Sequence, residues 1–290
     1  MSKIKEDALI ISQTREAAGT FRMRLKSPRI AAKARPGQFV MLQVREGPEP
    51  LLRRPFSFHA IALEEGVFDI LYRVVGRGTW LLSQCPPGAR LNILGPLGNG
   101  FDLPDWEPSL VFLAAGGIGI APLVELMARL RESHPAVAMR LFYGARTAEE
   151  MIPTDAIESL GVTVHRSTDD GSAGYHGWVG ELMKATAEAE GLKPEILFAC
   201  GPLSMQRHIA KWALEKSVPA QLSLESLMAC GLGACLGCAL PATSSPTSDP
   251  AVREDHYLHV CKDGPIFPAG AIEWQKMQIH QTQPRIFPYS

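Results

Sequence analysis

"SLVFLAAGGIGIAPLVELMARLRES", residues 109–133, runs from a charge-free apolar stretch through three glycines into apolar positions at helical spacing. A short apolar run closed by glycines reads as a fully buried strand, and the Pro122 that follows suits the first turn of a helix. A strand turning through glycine into a helix lets a dinucleotide approach the backbone amides at the helix start. "AAGGIGIAP", residues 114–122, does not complete a G-x-G-x-x-G, so a merely tight turn remains an alternative.

Downstream the pattern repeats. Strand-like "VAMRLFYGAR", "VTVHRST", "EILFACGP" and "AQLSLES" alternate with helix-like "TDAIESL", "VGELMKATAEAEG" and "SMQRHIAKWALEKS". Such alternation predicts a parallel sheet covered by helices on both faces. "YGAR" (143–146), "TDDGS" (168–172) and "ACGP" (199–202) then fall at the carboxyl ends of strands, along the crevice where open α/β sheets bind ligands. Upstream the period changes to two. Phe21, Met23 and Leu25 alternate with Arg22, Arg24 and Lys26, and Phe68, Ile70, Tyr72 and Val74 share one face. With "GQFVMLQV" and "ARLNILG", the first hundred residues predict short antiparallel strands in a barrel or sandwich, with no long helix before Pro104.

The 290 residues suffice for about two domains and a small appendage. A net charge of -1, with 46% hydrophobic and 20% charged residues, indicates a soluble globular protein and points to neither a nucleic-acid nor an anionic-membrane partner. "MSKIKEDALIISQ" does not read as a signal peptide, and the longest charge-free apolar run, Leu110 to Val124, is too short to span a membrane. A cytoplasmic location is expected, where six cysteines more often mean metal or redox chemistry than disulfides.

Three of those cysteines sit in "MACGLGACLGCALP", residues 228–241. Cys230, Cys235 and Cys238 stand as C-x4-C-x2-C, and Cys261 follows in "HVCKDGPIF". This is the plant-type [2Fe-2S] spacing, in which a tight loop supplies three thiolates and a distant segment the fourth. Gly231, Gly233, Ala234 and Gly237 are small enough for the backbone to wrap around sulfur, with positive φ where required. A structural zinc on the same four residues is the competing reading, although zinc ribbons usually offer two C-x2-C pairs and only Cys235 and Cys238 form one. Buried small side chains are the plainer alternative. Cys85, in "SQCPPG", reads as an ordinary loop or packed residue.

"RRPFSF", residues 53–58, joins a cation, an aromatic and a hydroxyl: Arg54 could neutralise a pyrophosphate, Phe56 cover a flat ring and Ser57 bond a ring nitrogen. A plain strand edge would look similar. In "LYRVVGRGTWLL", residues 71–82, Gly76 and Gly78 permit close backbone approach, and Thr79 could cap a helix whose N-terminus faces phosphate.

Taken together, "RPFS", "GRGT", "GGIGIAP", "YGAR", "CGP" and the cysteine motifs resemble the ferredoxin reductase-like flavoproteins, specifically dihydroorotate dehydrogenase B electron transfer subunits, from about residue 8 to about residue 275. The resemblance implies an α+β multidomain chain: a Greek-key antiparallel β-barrel for FAD over 1–105, an α/β parallel-sheet domain for NAD over 106–223, and a small [2Fe-2S] subdomain over 224–290. It implies that Arg54, Pro55, Phe56, Ser57, Leu71, Tyr72, Arg73, Gly78 and Thr79 contact FAD. Gly116, Gly117, Gly119, Cys200, Gly201 and Pro202 would shape the nicotinamide site, and Cys230, Cys235, Cys238 and Cys261 would hold the cluster.

The implied activity is an NAD(P)-linked oxidoreductase subunit of pyrimidine biosynthesis. It would pass electrons from a catalytic dehydrogenase subunit, an FMN-containing dihydroorotate dehydrogenase, through the cluster and FAD to NAD+. Such transfer needs no catalytic acid, base or nucleophile from the protein. Two departures bear on the partner: the stretch between Cys238 and Cys261 is long, and Leu227 stands where a basic residue usually precedes the methionine. Reductase subunits serving sulfide dehydrogenases or NADPH:ferredoxin oxidoreductases share most of these motifs, and a zinc-bearing module without redox work is the alternative from another class. Arg146 could meet a 2′-phosphate or face solvent, and Asp169 and Asp170 could bind a ribose or cap a turn. His165, His176 and His208 are expected as surface or helix residues rather than ligands.

Overall fold

The computed structural model describes residues 3–47, 49–243 and 256–277. Strands β1 (Ile4–Ala17), β2 (Thr20–Lys26), β3 (Phe39–Gln43), β4 (Arg54–Ala62), β5 (Val67–Arg73) and β6 (Arg90–Leu97) close into an antiparallel barrel in the order β1-β2-β5-β4-β3-β6. The path from β2 to β3 passes over two strands, the Greek-key connection, and carries the short α1 (Pro28–Ala31); α2 (Arg77–Ser83) lies between β5 and β6. Inside, Met23, Leu25, Phe58, Phe68 and Ile70 are fully buried, as the period of two requires. The outer face of β5 is buried as well. Asp69, 1% exposed, accepts hydrogen bonds from Arg22 Nε at 2.7 Å and Arg24 Nε at 3.0 Å on the adjacent β2, so its charge is paired rather than stranded.

Leu71, also on that outer face, packs into the core of the second half of the chain. There β7 (Leu110–Gly116) leads through a 3-10 turn at Gly117–Ile120 into α3 (Ala121–Ser133). Then follow β8 (Ala138–Ala145), α4 (Asp155–Glu158), β9 (Val162–Thr168), β10 (Tyr175–His176), α5 (Val179–Ala189), β11 (Ile196–Cys200), α6 (Leu203–Glu215) and β12 (Ala220–Ser223). The sheet order is β10-β9-β8-β7-β11-β12, all parallel. Val111 and Leu113 pack with α3 on one face, while Phe112 and Ala114 pack with α5 and α6 on the other, so β7 is buried on both faces.

The C-terminal segment is more regular than its sequence suggests. β13 (Ala239–Ala242) and β14 (His256–His259) form an antiparallel pair, and β15 (Ile266–Pro268) adds an antiparallel edge to β12. Ile266 and Phe267 enter the two opposite cores of the sheet, so the segment is stitched into the α/β layer. Most of "PATSSPTSDP" and the closing "FPYS" lie outside the described residues.

The barrel meets α3 through polar contacts from β4. His59, 5% exposed, pairs its Nδ1 with the Ala121 carbonyl at 3.2 Å, and the Ile61 amide donates to Glu125 at 2.8 Å. Burial, then the charge of Arg22, lowers the His59 pKa to about 4. An unfolded histidine titrates near 6.5 and so takes up a proton that the folded one refuses. The stability contributed by neutral His59 is therefore present above about pH 6.5 and lost as pH falls toward 4. Urea unfolding at pH 7 and pH 5 is expected to differ by about 2 kcal/mol from this group, and His59→Asn, which keeps a side-chain donor, should shrink that difference.

Candidate cofactor-binding site

Between the barrel and the α/β layer lies a cavity of about 470 Å3, ordinary for a ligand pocket. β4 supplies Arg54, Pro55, Phe56 and Ser57, β5 supplies Leu71, Tyr72 and Arg73, and the start of α2 supplies Gly76 to Thr79. These include all nine residues that the resemblance assigned to FAD. Phe56 meets Tyr72 edge-on with centroids 5.7 Å apart, and the Tyr72 hydroxyl donates to Gln13 at 2.7 Å, which fixes the ring.

The paired arginines divide their work. Arg53 is tied to the barrel by hydrogen bonds to the Asn92 carbonyl at 2.8 Å and the Met41 carbonyl at 3.3 Å, whereas Arg54 lies along the cavity. A Cβ on Gly78 would stand 2.7 Å from Arg54 Nε, so only glycine lets that guanidinium rest against the start of α2. Thr79 is not the N-cap as expected. It is the third residue of the helix, and its Oγ1 accepts from the amides of Val75 at 2.9 Å and Gly76 at 3.2 Å. Gly76, the N-cap, offers no side chain, leaving the first-turn amides without a side-chain cap. Flat aromatic walls, three arginines and these amides suit a ring system joined to a pyrophosphate.

The opposite wall comes from Ile118, Ala121 and Pro122 at the start of α3 and from Ser223, Leu224, Glu225, Ser226 and Met228 after β12. Sequence reasoning missed the last group. Glu225 lines the cavity with its side chain still accessible, and the protein packed around it pushes its carboxyl pKa up. The adjacent Cys200 thiol, on the strand paired with Ser223, is pushed up by burial and by Glu225. Only the "SLES" stretch at a strand's carboxyl end could have signalled these residues.

Gly116, Gly117, Gly119, Cys200, Gly201 and Pro202 do not line the cavity but form adjoining turns at the ends of β7 and β11. A Cβ on Gly116 would meet Pro202 Cδ at 2.6 Å, one on Gly201 would meet the Gly116 amide at 2.9 Å, and one on Gly119 would collide with the Cys200 carbonyl. Gln206 Nε2 ties the turn down, donating to Gly201 O at 2.7 Å and Ser223 O at 3.0 Å. Gly117 differs, having φ +52 and open space where its Cβ would be.

The four cysteines lie as two pairs. Cys238 and Cys261 are buried with sulfurs 3.3 Å apart, and Cys230 hydrogen-bonds the exposed Cys235. Backbone amides point at sulfur: Gly233 at Cys261 over 3.1 Å and Leu232 at Cys230 over 3.3 Å. Gly231 (φ 68) and Gly233 (φ 80) use the left-handed region, as does Leu236 (φ 58), while Gly237 does not. Although burial raises the Cys230 pKa, amides of Leu232, Cys235 and Ala234 together with the Cys235 thiol bring it down to about 6. Burial and Cys238 push Cys261 up to about 12. Among the described residues no three His, Cys, Asp or Glu side chains converge on a single ion position. Two pairs suit a binuclear centre, in which each iron takes two thiolates.

The remaining candidates are structural in their contacts. Arg146 is ion-paired with Glu150, and Asp170 caps a turn by accepting from the Ser172 amide and hydroxyl at 3.0 and 2.6 Å. His165 stacks on Phe142 with centroids 4.8 Å apart, His176 lies in exposed β10, and His208 packs against Gly180. Cys85 is half-buried and donates to the Leu81 carbonyl at 3.5 Å.

A Greek-key barrel beside a parallel sheet, with a cavity between them and a four-cysteine loop at its rim, defines a ferredoxin reductase-like flavin- and nicotinamide-linked oxidoreductase. Residues 7–101 match the oxidoreductase FAD-binding domain, 113–211 the oxidoreductase NAD-binding domain, and 225–273 the iron-sulfur cluster binding domain of dihydroorotate dehydrogenase B. The dihydroorotate dehydrogenase B (NAD(+)) electron transfer subunit of Desulforamulus reducens is 40% identical over 95% of this chain and 100% of its own length. That of Bacillus caldolyticus is 38% identical over 92% and 98%. The chain belongs to this family of electron transfer subunits. Among solved structures, an NADH-dependent reduced ferredoxin-NADP oxidoreductase chain superposes with TM-score 0.79 at 29% identity, covering 92% of this chain and 90% of that one. A ferredoxin reductase of carbazole 1,9a-dioxygenase shares the fold, with TM-score 0.65 at 21% identity over 76% and 68%. Among the described residues no helix is long and apolar enough to cross a membrane.

The turn geometry separates two neighbouring glycines. Gly119→Ala drives a methyl into backbone and is expected to cost about 3 kcal/mol, whereas Gly117→Ala, with space but unfavourable φ, should cost only about 1 kcal/mol. Chemical denaturation of the two variants measures the difference.

Proposed function

We propose that this chain is the electron-transfer subunit of an NAD+-linked dihydroorotate dehydrogenase, receiving electrons from a catalytic FMN-containing subunit and delivering them to NAD+. One observation carries the reading: the stretch from Ser223 to Met228 walls the cavity, and Cys230 is two residues further on. Two residues span at most about 7 Å, so a ring in the cavity and a cluster on the cysteines are held by one short piece of chain. When bound, FAD and a [2Fe-2S] centre connect one-electron traffic to two-electron hydride exchange with a nicotinamide.

The residues have separate tasks in this reading. Arg54, Gly78 and Thr79 hold the pyrophosphate end, since a guanidinium beside helix-start amides neutralises phosphate. Pro55, Phe56, Ser57, Leu71, Tyr72 and Arg73 bound the ring. Gly116, Gly117, Gly119, Cys200, Gly201 and Pro202 keep the dinucleotide crevice close to backbone, and buried Cys200 stays a thiol. Cys230, Cys235, Cys238 and Cys261 hold the irons. Leu227 (88% exposed), Leu232 (37%) and Leu236 (61%), which flank the outer pair in sequence, are exposed apolar side chains that suit docking of the catalytic subunit.

A second reading, a reductase subunit serving a ferredoxin, draws on the 29% identical ferredoxin-NADP oxidoreductase relative. The purified chain is expected to show flavin absorption with iron and sulfide in equal amounts, and to oxidise dihydroorotate only when a catalytic subunit is added. Zinc in place of iron, no flavin, or dihydroorotate oxidation by the isolated chain would contradict the proposal. Arg54→Ala should weaken FAD binding by about tenfold or more, read by flavin released on gel filtration. Leu232→Asp with Leu236→Asp should abolish co-purification of the catalytic subunit while leaving flavin and iron content intact.

A further inference from the structure

We propose that Glu150 is the residue by which this chain selects NADH over NADPH, because it pairs with the guanidinium of Arg146, which stands at the end of β8 where a 2′-phosphate would be read. The inference rests on the dinucleotide crevice proposed above. The flavin-sized cavity lies beside β12 and the start of α3, so a dinucleotide with its nicotinamide there extends its other half across the carboxyl ends of β8 and β9. Those strands end at Ala145 and Thr168, followed at once by Arg146 and by Asp169 and Asp170.

An exposed arginine at such a position is the usual partner of a 2′-phosphate, as an acidic residue is of a ribose hydroxyl. Here the arginine, its side chain 57% exposed, turns one edge of its guanidinium to a carboxylate. Arg146 donates from Nη2 to Glu150 Oε1 at 2.6 Å and from Nε to Oε2 at 3.2 Å. Glu150 also accepts a two-pronged pair from Arg73, at 2.9 and 2.6 Å, so it bridges the cavity wall and the crevice. The carboxylate is only 14% exposed and, chiefly through the Arg73 hydrogen bonds, its pKa is lowered to about 2, so it is ionised throughout the physiological range.

Glu150 is also held from both sides of the molecule. The Ala148 amide donates to Ser172 Oγ at 2.8 Å, and the Ala18 amide of the barrel donates to the Glu149 carbonyl at 2.9 Å. The carboxylate therefore has little freedom to swing aside. A 2′-phosphate, with a charge of roughly -1.5 to -2, would have to detach Arg146 from a closer partner while approaching Glu150 and Asp169. A 2′-hydroxyl meets no such penalty, being neutral and able to donate to a carboxylate.

The test uses the FAD- and iron-loaded chain and two probes, ADP-ribose and its 2′-phosphorylated form, with binding measured by calorimetry. The ratio of kcat/KM for NADH and NADPH is measured in parallel. The wild type is expected to bind ADP-ribose more tightly. Glu150→Gln should move both ratios roughly tenfold or more toward the phosphorylated ligands, through Kd and KM rather than kcat. Glu150→Asp should stay near the wild type, and Glu150→Gln with Arg146→Ala should lose the gain. Arg146→Ala alone should not move the ratios toward the phosphorylated ligands, since it leaves the Glu150 charge less compensated. The assignment is overturned if Glu150→Gln leaves the ratios unmoved, if Glu150→Gln with Arg146→Ala keeps the full gain, or if the wild type prefers the phosphorylated probe. NADH reduction of the flavin with unmoved ratios defeats this assignment only, whereas no binding of either probe and no reduction by NADH defeats the proposed function as well.

Discussion

The antiparallel pairing of Ile266–Pro268 with Gln221–Ser223 is the contact on which the arrangement of the site depends. It turns the last strand of a parallel sheet into an anchor for everything that follows Ser223. The chain leaves the sheet at Ser223, lines the cavity, delivers three cysteines and returns through Cys261 to the same edge. The barrel grips this return too: the Asn99 amide donates to the Gly264 carbonyl at 2.6 Å, and Asn99 Nδ2 donates to the Asp263 carbonyl at 2.9 Å. A Cβ on Gly231 would meet Met41 Cγ of β3 at 2.5 Å, so the cysteine loop lies directly on the barrel. The β12–β15 ladder holds the segment after Cys261 to the sheet, while the β13–β14 pair and the Val260 amide, donating to the Cys238 carbonyl at 3.1 Å, set the fourth thiol beside the other three.

Electrostatics joins the two larger layers where apolar packing alone would leave no room for a ligand. His59, Glu125, Arg73 and Glu150 link β4 and β5 to the helical and turn segments of the α/β half through hydrogen bonds and ion pairs. Asp69 keeps the outer face of β5 in place between Arg22 and Arg24. Partly buried bidentate pairs of this kind are worth more than exposed ones because water competes less for their donors. They fix against each other the two layers whose facing walls enclose the cavity.

The layers of the fold were legible in the sequence because both periodicities were clear: alternation in β2 and β5, and buried runs alternating with helical stretches after Trp106. The four cysteines stood out by their spacing, and "RRPFSF" and "GRGT" pointed to residues that line one cavity. Other features were hidden for physical reasons. β15 is three residues long and owes its existence to pairing with β12, which no local pattern records. Glu225 is an ordinary charged residue until the chain folds it over the cavity. Thr79 looked like an N-cap, but Gly76 takes that place because the helix begins one turn earlier, and the threonine reaches back instead. Leu236 adopts the conformation expected of its glycine neighbours, a choice made by the loop's closure around sulfur.

In the proposed function one chain holds a flavin and an iron-sulfur centre in electronic contact with NADH. An anaerobic titration of the purified chain with NADH, followed by visible absorption and low-temperature electron paramagnetic resonance, tests it most directly. The expected uptake is about three electron equivalents per chain, two bleaching the flavin and one appearing as a reduced [2Fe-2S] signal. Bleaching of the flavin with the iron-sulfur centre left oxidised, even with excess reductant of lower potential, would contradict it.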